Sequence, residues 1–270
     1  MKFVSDYHLH THYSDGKHSP AEIAEQAYQN GMQFLGFSDH SYLPFEDFSL
    51  PPEKQDVYRR EISTLKEHYC GRMTILCGIE KDYYGTVRED EFDYVVGSVH
   101  YLLCGNEYRP VDLSPEIAKE TIENYFGCDP YAYAEAYYRL VGNLFQNVRA
   151  DFIGHIDLLT KFQEKKPLLD PDNPRYRRAW QEAVEALLPQ EKPFEINSGA
   201  ISRGWRESPY PAPEILRYIK ERGGRIVLSS DSHAKETLCY QFEKERALAL
   251  VCGFTTQCIL TENGWQEIQL

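Results

Sequence analysis

Seven short apolar runs recur along the chain, and nearly all of them end in a residue that can bind a metal. The runs cover residues 2–10, 33–39, 73–80, 94–100, 151–155, 193–197 and 225–231, and their β-branched and aromatic content predicts strands. Between them lie segments of helical spacing at 20–30, 51–69, 130–147, 174–188, 213–221 and 235–251. The first of these carries its own signals: Ser19 as cap, Pro20 in the first turn and Gly31 as stop. Strands alternating with helices imply βαβ units and a parallel sheet. Seven such units predict a sheet that closes or nearly closes, and 270 residues suit one domain of that kind spanning 1–270.

His8 and His10 end the first run, Asp39 and His40 the second, Glu80 the third, His100 the fourth and His155 the fifth. Asn197 ends the sixth, and Asp231 and His233 the seventh. In a β/α barrel the strand C-termini converge on one face, where active sites sit. Histidines scattered on a surface would not choose successive strand ends.

His8 and His10 alternate, so both imidazoles point to one face of the strand. Asp15 follows in Ser14-Asp15-Gly16, a turn sequence whose carboxylate is also free to ligate. Glu80 ends an apolar strand, where burying a carboxylate costs several kcal/mol unless cations compensate it. A bridging position between two ions would supply that compensation. The inventory is six histidines (His8, His10, His40, His100, His155, His233) and three carboxylates (Asp15, Glu80, Asp231). Nine donors exceed one ion and suit two or three divalent ions, each with a position left for water. Mixed nitrogen and oxygen donors fit Zn, Mn or Fe. A structural zinc site would be closed and usually thiolate-rich, and no cysteine lies in these motifs.

Such a centre suits phosphate-ester hydrolysis: it would ionise a bound water near neutral pH and neutralise the phosphoryl oxygens. The net charge of −13 disfavours nucleic acid as a partner, so a small phosphorylated substrate is expected, held where the charge is locally reversed. Arg203 on the loop after strand six, and Lys161 after His155, are the candidate phosphate contacts, with Arg206 in reserve. Asp231 or Asp157 could relay protons. No D-x-D-x-[TV] motif is present, which argues against an aspartyl-phosphate route. Seven cysteines without a C-x-x-C pair read as reduced thiols of a cytoplasmic protein. The N-terminus lacks a signal-peptide pattern, and no run of 18 apolar residues predicts a membrane span. His12 and His68 read as solvent-facing. Tyr125, Tyr131, Tyr133, Tyr137 and Tyr138 read as packing or an oligomer surface, which leaves room for a homodimer. Residues 43–52 could form a lid over the pocket or simply a long loop.

The ordered motifs HLHTHYSDG, SDH, GIE, GSVH, GHID, EINSG and SSDSHA resemble the PHP (polymerase and histidinol phosphatase) superfamily, from residue 6 to about residue 235. DYVVGSVHYL, FIGHIDLLTKF and EINSG followed by Pro-Tyr-Pro are similar to its histidinol-phosphate phosphatase branch. The resemblance implies a distorted (β/α)7 TIM-like barrel with a trinuclear metal site at the C-terminal face of the strands. It places His8, His10, Glu80 and Asp231 on a first metal, and Glu80, His100 and His155 on a second. Asp15, His40 and His233 would hold the third; some members carry a histidine near the place of Asp15, and His18 is a weaker substitute here. The expected catalytic set is Glu80, Asp231 and His233. The expected reaction is hydrolysis of L-histidinol phosphate to L-histidinol and phosphate by a metal-bound hydroxide. The alternatives are a phosphoesterase for another small phosphate ester or nucleotide, a non-catalytic metal-binding accessory protein, and a C–N hydrolase of the amidohydrolase type.

Overall fold

The computed structural model describes residues 3–270. The chain opens with β1 (Ser5–Asp6), α1 (Pro20–Gln29), β2 (Phe34–Phe37), α2 (Pro52–Tyr69), β3 (Thr74–Asp82) and β4 (Tyr94–Ser98). A hairpin follows, β5 (Tyr101–Cys104) and β6 (Glu107–Pro110), then α3 (Pro115–Tyr125), α4 (Pro130–Gly142), β7 (Phe152–Ile153) and α5 (Pro174–Leu187). The last part holds β8 (Phe194–Asn197), α6 (Gly199–Ser202), α7 (Pro213–Glu221), β9 (Ile226–Ser229), α8 (Phe242–Val251), β10 (Thr256–Thr261) and β11 (Gly264–Gln269).

Seven strands form one sheet in the order β1-β2-β3-β4-β7-β8-β9, and every neighbouring pair is parallel. The sheet closes through one bridge beyond the named strands, Leu9 opposite Ser232. There His10 N donates to Ser232 O at 2.8 Å and Ser232 N donates to His8 O at 3.2 Å. The result is the expected (β/α)7 barrel, distorted at the β1–β9 seam. The predicted strand at 2–10 shrinks to Ser5–Asp6, with Lys2 outside the described residues. Its later backbone is held irregularly: Leu9 N donates to the Ser38 hydroxyl at 3.0 Å.

The local reasons for the helices are visible in their caps. Ser19 accepts from Glu22 N while the Glu22 carboxylate accepts from Ser19 N, a reciprocal capping box that starts α1. Asp129 caps α4 through Tyr131 N and Ala132 N. α4 packs on α5, where the hydroxyls of Tyr138 and Tyr176 lie 3.0 Å apart. Tyr133, Tyr137 and Tyr138 are core residues, so the tyrosine cluster on α4 is mainly packing.

Two expected helices start late or stop early. The helix expected at 235–251 begins only at Phe242, because Cys239 (φ 55°) and Gln241 (φ 58°) turn left-handed and Cys239 N is drawn to Asp6 Oδ2 at 3.0 Å. The helix expected at 130–147 stops at Gly142. The segment between strands four and five folds as the β5–β6 hairpin and α3. Its signals were Gly105-Asn106 between two strand-forming runs, and Ser114 before Pro115.

The far end of the barrel is shut by the β10–β11 hairpin. Tyr7 OH donates to Leu260 O at 2.8 Å and accepts from Leu260 N at 3.0 Å. Trp265 packs edge-on against Tyr7 and Phe152. Tyr94 lies across the strands and donates to the carbonyls of Tyr7 and Phe37. It fits because residues 36 and 78 are both glycine: a Cβ would come within 2.4 Å of the Tyr94 hydroxyl at residue 36 and within 2.3 Å of its ring at residue 78. One mouth is therefore filled with aromatic side chains, leaving the strand C-termini as the open one. No described helix is long and apolar enough to cross a membrane, and all seven cysteines are free thiols.

Candidate metal centre

The open mouth gathers all nine predicted donors. His8 and His10 follow β1 on the seam, fully buried, where the bridge at Leu9 holds both imidazoles inward. His40 follows β2 and pairs as an isolated bridge with Glu80 of β3. His100 follows β4 and His155 follows β7, while Asp231 and His233 follow β9. Asp15 sits on the loop at 11–17. Asp39 shapes that loop by accepting from Thr11 N at 2.9 Å and Ser14 Oγ at 2.6 Å. Asp39 thus supports the loop and does not face the cluster.

Glu80 is the hub. Its Oε2 lies 3.3 Å from His8 Nε2, 3.6 Å from His10 Nε2 and 2.9 Å from His40 Nδ1. Its Oε1 lies 3.0 Å from His155 Nε2 and 3.4 Å from His100 Nε2. One buried carboxylate therefore presents a different oxygen to each side of the cluster. Asp231 Oδ1 is 3.4 Å from His10 Nε2 and 4.0 Å from His8 Nε2. Asp15 Oδ2 is 3.1 Å from His233 Nε2, and its Oδ1 is 3.7 Å from His40 Nε2.

The donors fall into overlapping groups: His10, Asp15, His40 and His233; His8, His155 and Asp231; His8, His10 and Glu80; His40, Glu80 and His100. The resemblance implied three separate sets sharing Glu80 alone. His10 reaches toward both sides of the cluster, with Nδ1 3.7 Å from Asp15 and Nε2 3.6 Å from Glu80.

The electrostatics call for cations. Burial works against charge on Glu80, yet His8, His100 and His40 hold its carboxyl well below the usual range. Burial likewise opposes charge on Asp231, and Arg203 and His8 reverse that effect. Burial lowers His40, but Glu80 and Asp15 carry it up to about 9. Burial and the neighbouring His233 and His40 push His10 down to about 3, so it is a neutral donor at physiological pH. His8 Nε2, both His10 nitrogens and Glu80 Oε2 are buried without a hydrogen-bond partner. Unsatisfied buried groups of this kind are costly, and these converge on shared points. The donor set is that of a divalent-metal centre.

Two carboxylates that sequence reasoning missed support it. Glu195 Oε1 lies 2.5 Å from His8 Nδ1, and Oε2 accepts from His155 N at 2.6 Å. Asp82 accepts from His100 N at 2.7 Å. Asp82 ends β3 two residues after Glu80, which was an available signal; Glu195 lies within β8 in EINSG, with no donor near it in the sequence. Asp231 itself takes a left-handed φ of 48°, an uncommon conformation for a non-glycine residue, at the turn that aims its carboxylate inward.

Above the cluster opens a cavity of about 300 Å³. Arg203 lines it and holds Asp231 Oδ2 at 2.7 Å and His233 Nδ1 at 2.9 Å. Residue 199 must be glycine for this contact, since a Cβ would come within 2.4 Å of Asp231 Oδ2 and 2.6 Å of Arg203 Nη2. Lys161 also lines the cavity, with Nζ held by Asp112 Oδ2 at 2.9 Å and Asp112 O at 2.8 Å. Arg206 turns away, donating to Thr160 Oγ1 and lying over the Tyr210 ring. Asp157 accepts from Ala212 N and does not reach the cavity. His18 lies toward Glu236, and His12 and His68 are exposed.

The wider comparisons agree with this architecture. A model of the PHP domain matches residues 6–199. A protein of Deinococcus radiodurans named "Probable histidinol-phosphatase" is 31% identical over 257 residues, covering 90% of this chain and 91% of that one. The histidinol-phosphatase of Bacillus subtilis is 24% identical over 88% of this chain and 96% of its own. The solved histidinol phosphate phosphatase of Lactococcus lactis, complexed with zinc, L-histidinol and phosphate, superposes with a TM-score of 0.73 at 22% identity, covering 97% of this chain and 98% of that one. A barrel closed at one end, a donor-lined mouth at the other and a family model spanning most of the chain lead to one assignment: the chain belongs to the PHP domain family.

Proposed function

We propose that this chain is a single-domain, metal-dependent phosphomonoesterase whose substrate is L-histidinol phosphate. The observation that carries the reading is Glu80, one buried carboxylate facing five imidazoles at the base of a cavity walled by Arg203. The nine donors His8, His10, Asp15, His40, Glu80, His100, His155, Asp231 and His233 would hold two or three ions of zinc, manganese or iron. Such ions, when bound, supply a water of lowered pKa and neutralise phosphoryl oxygens.

The chain's own residues do the rest. Glu80 spans the cluster and keeps its two halves at fixed separation. Arg203 presents a guanidinium beside the donors, fixed by Asp231 and His233, where it can grip phosphate oxygens as ester and as product. Lys161 adds a second positive charge on the same wall. Asp231 and His233 contact Arg203 and line the cavity, in position to hold or pass a proton. The relatives named as histidinol-phosphatases support the choice of substrate. Seven free thiols suit a reducing compartment such as the cytoplasm.

The test strips the purified protein of metal, reloads it with manganese or zinc, and follows phosphate release from L-histidinol phosphate, p-nitrophenyl phosphate and nucleotides. Metal-dependent release that favours L-histidinol phosphate is expected. Absence of release from the whole panel would reject the reading.

A further inference from the structure

The geometry points to Glu46 as the residue that selects a cationic leaving group. This inference rests on the phosphatase reading and deepens it. The cavity has two chemically distinct ends. Its floor carries the metal donors with Arg203, which suits the phosphate. The rest of its lining is largely apolar, with Leu43, Phe48, Pro110, Leu113 and Leu158. Apart from the nine donors, only two carboxylates line the cavity, Glu46 and Asp112. Asp112 is committed: it holds Lys161 through both its side chain and its carbonyl. Lys161 in turn keeps its carboxyl down at about 2 against the effect of burial.

Glu46 differs. Only its Oε1 is engaged, accepting from Tyr101 OH at 2.8 Å. It forms no ion pair among the described residues, so its carboxylate lines the cavity without a cation of the protein beside it. The segment that carries it is held firmly. Leu50 N donates to His40 O at 2.9 Å, closing the base of the loop next to a metal donor. Ser49 Oγ accepts from Leu43 N at 3.1 Å across the loop. Phe45 stacks on Tyr108 of the β5–β6 hairpin, with ring centroids 4.0 Å apart, and meets Tyr101 edge-on. Phe48 lies edge-on to His40 at 5.5 Å and lines the cavity. The segment is therefore a wall fixed by the hairpin and not a free lid.

A rigid carboxylate beside apolar walls, opposite a phosphate-binding floor, fits an ester that is anionic at one end and carries an ammonium and a flat ring at the other. L-Histidinol has both groups. A charge-assisted hydrogen bond in a partly desolvated pocket is worth roughly ten- to hundredfold in affinity. Arg203 and the metal donors would bind any phosphomonoester, and Glu46 would discriminate among them.

The experiment uses the metal-loaded protein and the variants Glu46→Gln, Tyr101→Phe and Asp112→Asn. Two quantities are read: L-histidinol binding by calorimetry, and the ratio of kcat/KM for L-histidinol phosphate to that for p-nitrophenyl phosphate. Glu46→Gln is expected to weaken L-histidinol binding about tenfold or more and to lower the ratio by a similar factor, chiefly through KM. Tyr101→Phe, which only unties the carboxylate, should move both in the same direction by less. Unchanged binding and ratio in Glu46→Gln would overturn the assignment while leaving the phosphatase reading intact. So would their loss in Asp112→Asn alone. Conversely, a wild-type protein that binds L-histidinol through Glu46 but releases no phosphate would overturn the phosphatase reading and the leaving-group role with it, leaving Glu46 as a ligand contact only.

Discussion

Glu195 Oε1 lies 2.5 Å from His8 Nδ1 beneath the metal donors, and neither side chain reaches solvent. The contact assigns the His8 ring: Nδ1 faces the carboxylate, so Nε2 is turned to Glu80 and Asp231. Such a partner orients a ligating imidazole and raises its basicity. Glu195→Gln should therefore weaken metal binding by about 10- to 100-fold, measured as metal retained against a competing chelator. Retention equal to wild type would remove Glu195 from this role.

Removal of metal should cost stability as well as activity. Buried carboxylates and unpartnered imidazoles are expensive without cations, and ligand binding to the folded state adds RT ln(1 + [L]/Kd), about 2.7 kcal/mol at a hundredfold excess over Kd. Chelation is expected to lower the Tm and abolish phosphate release, and added zinc or manganese should restore both. A Tm indifferent to chelator would show that the cluster holds no ion.

Arg203 bridges the donors and the cavity. Arg203→Ala should reduce kcat/KM by roughly two orders of magnitude and weaken inhibition by inorganic phosphate, with Arg203→Lys recovering little because a single ammonium cannot replace a planar fork. Gly199→Ala, which drives a Cβ into the same contact, should impair phosphate binding in parallel. Equal phosphate inhibition in all three variants would place the phosphate elsewhere.

Glu245 of α8 is fully buried, with the Ser198 hydroxyl as the one group that favours its charged form. Burial raises its carboxyl well above the ordinary 4.5. The folded state thus keeps a proton that the unfolded chain releases. Its contribution is favourable below the unfolded value and is lost as pH rises from there toward the raised folded value. Glu245→Gln removes that loss. The variant should be more stable than wild type by about 1–3 kcal/mol at pH 8, with the difference shrinking toward pH 4, as read by denaturant unfolding. A variant less stable than wild type at pH 8 would sink this account.

The alternation of strand and helix, the barrel it implies, and the placing of metal-type residues at strand ends were all legible in the sequence. The reason is physical: period and punctuation are local, and a parallel barrel brings successive strand ends together whatever the loops do. His8, His10, Glu80 and His155 could be placed at one mouth on that basis alone. What surrounds them could not. Glu195 meets His8 across 187 residues, and Glu46 meets Tyr101 across a hairpin whose Gly105-Asn106 turn was passed over. The commitment of Lys161 to Asp112, the turning away of Arg206 and the sharing of His10 between two sides depend on side-chain directions and packing between distant segments. Those are set by tertiary contacts, which no periodicity encodes.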